Sequence, residues 1–159
     1  MSDDTVELLT TPSMLVASYK MTIPTNDSVP VYFERAHHAL HDFISTNGVK
    51  VLSPFFSIWH QSPDVVENEV VEAVFEIDKL ISSADAVQVY KVPETLVASL
   101  VHKGEFEELI LAHKTLGAWI SANGYTFNGG YREIYHKNDP KDMSKSETEI
   151  QYHVVRQLT

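Results

Sequence analysis

Apolar and polar residues alternate along short stretches of the chain, and a period of two residues predicts β-strands. Near the end of the chain, one face carries Ile150, Tyr152 and Val154, and the other carries Glu149, Gln151 and His153. The stretch 72–77 repeats this pattern, with Ala73, Phe75 and Ile77 facing away from Glu72 and Glu76. Since an apolar sheet face has to be buried, we expect helices to pack on the apolar side of both strands.

A second period, with apolar residues three and four positions apart, predicts an amphipathic helix in the second half of the chain. Its stripe comprises Phe106, Leu109, Ile110, His113, Leu116 and Ile120. Asn-Gly pairs at 47–48 and 123–124 end this helix and an earlier one, because glycine suits a left-handed C-terminal cap. We expect His113 and its counterpart His37 to be core or boundary residues.

Four sequence blocks occur twice in the same order, which indicates an internal duplication. Leu-Val-Ala-Ser at 15–18 recurs 81 positions later. Three further blocks recur at offsets of 76 or 77: the Asn-Gly helix end, the strand at 54–60 and the strand at 72–77. Each copy therefore contains a strand, a helix and two further strands.

The duplication predicts a single α+β domain that covers residues 1–159. Repeat one spans about 6–78 and repeat two about 86–156, with a connector at 79–85 that is too short to be an independent linker.

The same alternation separates aromatic residues from isoleucines in the third element of each copy. We expect Phe56, Ile58 and Ile134 to face the helices. The open face of the sheet then collects four aromatic residues and three glutamates, namely Phe55, Trp59, Tyr131, Tyr135, Glu72, Glu133 and Glu149. These side chains predict an acidic, aromatic groove between the copies. The alternative is that the tyrosines cover a sheet edge and the glutamates form a solvated face.

Charge and composition exclude several function classes. The chain has 12 Lys and Arg against 22 Asp and Glu, and a net charge of −10 repels nucleic-acid phosphates. It has no cysteine, which excludes thiolate chemistry and suits a reducing compartment. No signal peptide and no long apolar run is present, so we expect a cytoplasmic protein without membrane association. His37 and His41 are one helical turn apart but lack further ligand motifs, and we expect neither a metal nor a cofactor.

Four segments together resemble a known family. They read LVASLVHKGEFEEL at 96–109, AWISANGY at 118–125, YREIY at 131–135 and TEIQ at 148–151. With them, nearly the whole chain resembles the GyrI-like family, the effector-binding domains of bacterial AraC-type and multidrug-responsive transcription regulators. The resemblance implies that tandem strand-helix-strand-strand units form one curved antiparallel sheet, with two main helices on one face and a ligand pocket between the units.

The resemblance also implies the chemistry of the pocket. Glu149 becomes the acidic pocket residue, with Tyr135 and Trp59 beside it. A carboxylate among ring faces attracts organic cations, and each cation-π contact is worth about 0.5 to 2 kcal/mol. We therefore expect a small-molecule-binding domain that sequesters or senses lipophilic drug-like compounds, which are aromatic or cationic.

Two other functions stay open at this point. One is hydrolysis of cyclopropane-bearing or related reactive compounds, with Glu149 as general base and Glu72 as its pseudo-symmetric second. The other is inhibition of DNA gyrase or interaction with another protein, such as a regulator. Because no DNA-binding region precedes residue 12 and no basic recognition helix is present, we expect a stand-alone ligand domain.

Overall fold

The computed structural model describes residues 5–84, 86–105, 108–137 and 141–158. These ranges contain β1 (Val6–Thr11), β2 (Met14–Thr25), α1 (Val29–Asn47), β3 (Phe56–Trp59), β4 (Glu67–Glu76), β5 (Val87–Val92), β6 (Thr95–Lys103), α2 (Leu109–Ala122), β7 (Tyr125–Lys137) and β8 (Glu147–Arg156). Asp85 of the predicted connector and Phe106 of the predicted helix stripe lie outside the described residues.

The described strands form one antiparallel sheet in the order β1-β6-β8-β7-β3-β4-β2-β5. The segments β2-α1-β3-β4 and β6-α2-β7-β8 have the same topology, and the central pair β3 and β7 joins them. In this pair Ser57 lies opposite Glu133, two positions that the predicted repeat makes equivalent. The α+β architecture is confirmed, whereas the duplication and the repeat boundaries stay predictions.

The sheet curls because its two edge strands are exchanged between the halves. β1 is two residues from β2 but pairs with β6, and β5 is two residues from β6 but pairs with β2. Such links span at most about 11 Å, so the two sides of the sheet have to approach one another. Arg132 of the central strand β7 reaches the β1-β6 edge, where its Nη1 lies 3.4 Å from Thr11 Oγ1 and its Nη2 3.3 Å from Thr95 Oγ1.

Both faces of the curled sheet are buried. The main core lies between the helices and the helix face of the sheet, and it includes the predicted set Ala73, Phe75, Ile77, Ile150, Tyr152 and Val154. A smaller core fills the opposite face, called here the inner face, and consists of Val16, Phe56, Ile58, Val74 and Val92. Ile134 packs against this inner core. The expectation that Phe56, Ile58 and Ile134 face the helices is therefore wrong, because the curl supplies a second apolar interior.

The two helices end where glycine permits a turn and bury one stripe each. Gly48 follows α1 with a φ of 60°, the left-handed cap that the sequence predicts. α2 buries Ala112, Leu116 and Ile120, which are four residues apart. Ile110 does not belong to this stripe and is 60% exposed. In the described part of the chain, neither helix has the length and apolar character needed to cross a bilayer.

Candidate functional site

A groove of about 950 Å³ opens on the helix face of the sheet. Its walls are α1, the strands β3 and β7, and the segment that leads into β4. The described lining residues that carry aromatic, acidic or imidazole groups are Phe33, Glu34, His37, His38, His41, Phe55, Trp59, Glu69, Tyr131, Glu133 and Tyr135. Leu109 of α2 and the valines 65 and 66 add apolar surface.

Strand pairing stacks the aromatic side chains of the groove. Trp59 lies opposite Tyr131 in the β3-β7 ladder, and their rings are 5.7 Å apart and inclined by 2°. Phe55 stacks on Tyr135 at 5.7 Å and 18°. Phe33 from α1 contacts the edge of Phe55 at 5.7 Å. The four aromatic residues expected in the site are thus together, and they form the floor of the groove.

Glu133 lies between these rings and is the acceptor for donors on both sides. The Tyr135 hydroxyl donates to Oε1 over 2.9 Å, and His113 Nε2 lies 3.0 Å from Oε2. Glu133 itself is 8% exposed. On the far side of the imidazole, His113 Nδ1 lies 2.6 Å from the Tyr152 hydroxyl. His113 is not one of the groove's lining residues but holds the Glu133 carboxylate, which extends the expectation of a core or boundary histidine.

A series of hydrogen bonds leads from Trp59 to Glu133, and because the Tyr135 hydroxyl donates its proton to the carboxylate, Ser57 has to donate to that hydroxyl. An indole N–H can only donate, and Trp59 Nε1 donates to Ser57 Oγ over 2.8 Å. Ser57 in turn lies 2.9 Å from the Tyr135 hydroxyl, which donates to Glu133. Burial, and next the charge of Glu133, raise the pKa of Tyr135 well above its ordinary value, so this tyrosine stays protonated. The series thus ends on the carboxylate, with every proton pointing towards it.

Glu69 is a second acidic side chain in the groove wall. It is 3% exposed, and its Oε1 has no hydrogen-bond partner among the described residues. Burial, and next the charge of Glu133, raise the pKa of Glu69 above its ordinary value. Glu69 belongs to β4 and lies two and four residues before Val71 and Ala73. The alternation in the sequence therefore predicts that it shares the helix face with them.

Three histidines of α1 form one side of the groove. The His37 ring lies 4.1 Å from that of Phe55, and the rings of His37 and His41 are 5.9 Å apart. Burial, and next the proximity of His41 and His38, lower the pKa of His37. Within the described ranges, no group of three or more His, Asp or Glu side chains is arranged to hold a metal ion.

Glu72 and Glu149 lie on the inner face and do not line the groove. Their carboxylates are held by local donors: Ser18, His60 and Tyr90 for Glu72, and Ser99, His136 and Gln151 for Glu149. Burial raises the pKa of Glu72, but the hydrogen bonds outweigh it and lower the pKa to about 2. The pKa of Glu149 is lowered below its ordinary value for the same combination of reasons.

The seven expected site residues are therefore divided between the two faces. Phe55, Trp59, Tyr131, Tyr135 and Glu133 come together on the helix face, and Glu72 and Glu149 do not join them. The alternation within each strand is as expected. The expectation that the rings face away from the helices was wrong. The rings lie on the helix face, so Glu72 and Glu149 on the inner face cannot reach them. The sequence reasoning also missed Ser57, Glu69 and the roles of His113 and Tyr152.

Comparisons with solved structures show the same fold over nearly the whole chain. The EcmrR C-terminal domain is 21% identical, with a TM-score of 0.86, and the match covers 96% of this chain and 98% of that domain. In the EcmrR-DNA complex the chain spans 58% of the length of EcmrR, at 21% identity and a TM-score of 0.85. SAV2435 bound to tetraphenylphosphonium is 12% identical, has a TM-score of 0.68, and matches over 95% of this chain and 94% of its own.

One further structure is described as a hydrolase from Listeria innocua. It is 14% identical with a TM-score of 0.70, and the match covers 98% of this chain and 94% of that protein. No curated protein matches the sequence. The model of the GyrI-like small molecule binding domain matches residues 4–154, which confirms the resemblance seen in the sequence. The chain belongs to the GyrI-like family of small-molecule-binding domains.

Proposed function

We propose that the groove binds lipophilic organic cations and that Glu133 is their anionic partner. The observation that carries this proposal is the position of Glu133, a carboxylate that accepts hydrogen bonds from Tyr135 and His113 at the edge of two stacked ring pairs. The expectation named Glu149 for this role, and Glu133 takes its place because it is the one of the two that lines the groove.

The electrostatics of the groove favour positive ligands. Its acidic lining residues are Glu34, Glu69 and Glu133, and no Lys or Arg occurs among the described lining residues. A cation over the face of Trp59 or Tyr131 gains about 0.5 to 2 kcal/mol from the ring quadrupole, and the carboxylate adds to this attraction. An anion would meet three carboxylates instead. The groove therefore selects ligands by the sign of their charge.

The size and lining of the groove favour bulky, poorly polar ligands. Drug-sized ligands occupy pockets of about 300 to 1,000 Å³ that are mostly apolar and contain a few polar groups. At about 950 Å³ the groove is at the upper end of this range. Stacked rings provide broad contact with little directional demand, so several unrelated cations are expected to bind. The tetraphenylphosphonium complex of SAV2435 supports the proposal, since the same fold holds a lipophilic cation there.

The test is the affinity for tetraphenylphosphonium, measured by isothermal titration calorimetry. Glu133→Gln keeps the shape of the side chain and removes its charge, and we expect a loss of about tenfold or more. Glu149→Gln is the matched control, because it makes the same change on the inner face and should alter the affinity less than about twofold. Equal affinities of the wild type and Glu133→Gln would overturn the proposal.

The pair of Glu133 and His113 also favours a second candidate function, which is hydrolysis of a reactive bound compound. A carboxylate hydrogen-bonded to an imidazole at 3.0 Å can accept a proton from water that attacks an electrophilic ligand carbon. Glu133 then replaces Glu149 as the proposed general base. Incubation of protein with cyclopropane-bearing compounds, followed by mass spectrometry, tests this candidate. A gain of one water that disappears in Glu133→Gln indicates hydrolysis, and recovery of intact compound argues against it.

A further inference from the structure

Glu69 differs from the other buried or half-buried glutamates discussed above, because its Oε1 has no hydrogen-bond partner among the described residues. Glu133, Glu72 and Glu149 each accept hydrogen bonds from at least two side chains. Glu69 is more than nine-tenths buried, lines the groove, and leaves Oε1 without a partner among the described residues. An unsatisfied buried polar atom destabilises the protein, and the cost is larger when the group is charged. A partner from the ligand would remove this cost.

The carboxyl groups of Glu69 and Glu133 share the same groove wall. Each raises the pKa of the Tyr131 hydroxyl, after burial itself, and Glu133 also raises the pKa of Glu69. Both carboxyl groups and the Tyr131 ring line the groove, and the two glutamates belong to β4 and β7, the strands on either side of β3. No lysine or arginine among the described lining residues compensates them. Besides the exposed Glu34, the groove thus has two buried acidic positions, and a single cation leaves one of these two unpaired.

We propose that Glu69 is a second cation-recognition residue and that the groove is selective for organic dications, whose two separated cationic heads meet Glu133 and Glu69. This inference rests on the proposed function of Glu133. A dication pairs both carboxylates and removes their mutual repulsion, whereas a monocation of the same shape pairs only one. The apolar linker between the heads contacts aromatic lining residues of the groove such as Tyr131.

The experiment compares two ligands that differ in one head group. The dications are linear alkanes with a trimethylammonium group at each end, in a series of chain lengths. The monocations are alkyltrimethylammonium ions with the same chains. Calorimetric affinities are measured at neutral pH and at concentrations below micelle formation, on the wild type, Glu69→Gln, Glu133→Gln and Glu72→Gln.

The readout is the affinity ratio of dication to monocation on the same variant. Because both ligands see the same preparation, any loss of folded protein cancels from this ratio. At the best chain length the wild type should prefer the dication about tenfold or more. In Glu69→Gln the ratio should fall to about twofold, the statistical advantage of two equal heads. Glu72→Gln alters a carboxylate on the inner face and should keep the ratio of the wild type.

The failure of this inference can be distinguished from failure of the proposed function. If the wild type shows no preference for dications, or Glu69→Gln keeps it, the role of Glu69 is refuted. Monocation binding that weakens in Glu133→Gln would still uphold the proposed function in that case. If Glu133→Gln leaves the monocation affinity unchanged, the proposed function fails. The effect of Glu69→Gln on the affinity ratio of dication to monocation still decides the role of Glu69.

Discussion

Neutralising Glu72 should destabilise the fold without weakening ligand binding. Its carboxylate lies on the inner face, is 6% exposed, and accepts hydrogen bonds from Ser18 at 2.7 Å, from His60 at 2.5 Å and from Tyr90. Because these bonds act on the charged form, they lower its pKa to about 2 despite burial. Glu72→Gln removes the charge and keeps the shape, so it isolates this contribution.

The magnitude follows from the difference in pKa between the folded and unfolded chain. An ordinary glutamate titrates at 4.5, and each tenfold change in proton affinity is worth about 1.4 kcal/mol, so a pKa of about 2 corresponds to about 3 kcal/mol. A lowered folded-state pKa stabilises above the unfolded pKa and loses its effect as the pH falls through the folded pKa. The stability difference between wild type and Glu72→Gln should therefore be full at pH 7 and shrink between pH 4.5 and pH 2.

The assay is urea unfolding monitored by circular dichroism. Glu133→Gln, which makes the same substitution on the helix face, is the control variant. At pH 7, Glu72→Gln should lose on the order of 2 to 3 kcal/mol of unfolding free energy while its affinity for tetraphenylphosphonium stays within about twofold of wild type. A variant with unchanged stability and lost binding would refute the reasoning, because it would place Glu72 in the ligand site after all.

Three further outcomes follow from the same geometry. Glu69→Gln should stabilise the ligand-free protein at neutral pH, since burial raises the folded-state pKa of Glu69 and a raised pKa costs stability as the pH rises above 4.5. Thermal unfolding of both proteins from pH 4 to pH 8 should show their stabilities diverging as the pH rises. Ser57→Ala should cost about 1 to 3 kcal/mol in urea unfolding and weaken tetraphenylphosphonium binding, because it leaves the Trp59 N–H unpaired. Gly130→Ala should destabilise by about 1 to 3 kcal/mol in the same assay, because its Cβ would lie 2.8 Å from the Trp59 carbonyl oxygen.

Local pattern was enough to establish the class of fold and the composition of each strand face. Alternation correctly grouped Phe55 with Trp59 and Tyr131 with Tyr135, and it separated Glu149 from Ile150. The four segments that resemble the family identified it correctly. The Asn-Gly pair at 47–48 correctly predicted where helix α1 ends. These inferences succeed because side-chain direction along one strand depends only on the backbone of that strand.

The face that carries the proposed ligand site depends on contacts between distant parts of the chain. Pairing of β1 with β6 and of β5 with β2 curls the sheet, and the curl creates an inner core for Phe56 and Ile58. Once both faces are buried, apolar character no longer tells which face meets the helices. The acid of the proposed ligand site is consequently Glu133, next to the rings, while Glu149 is held by neighbours on the inner face. Strand pairing is non-local, and the period of two residues within a strand contains no information about it.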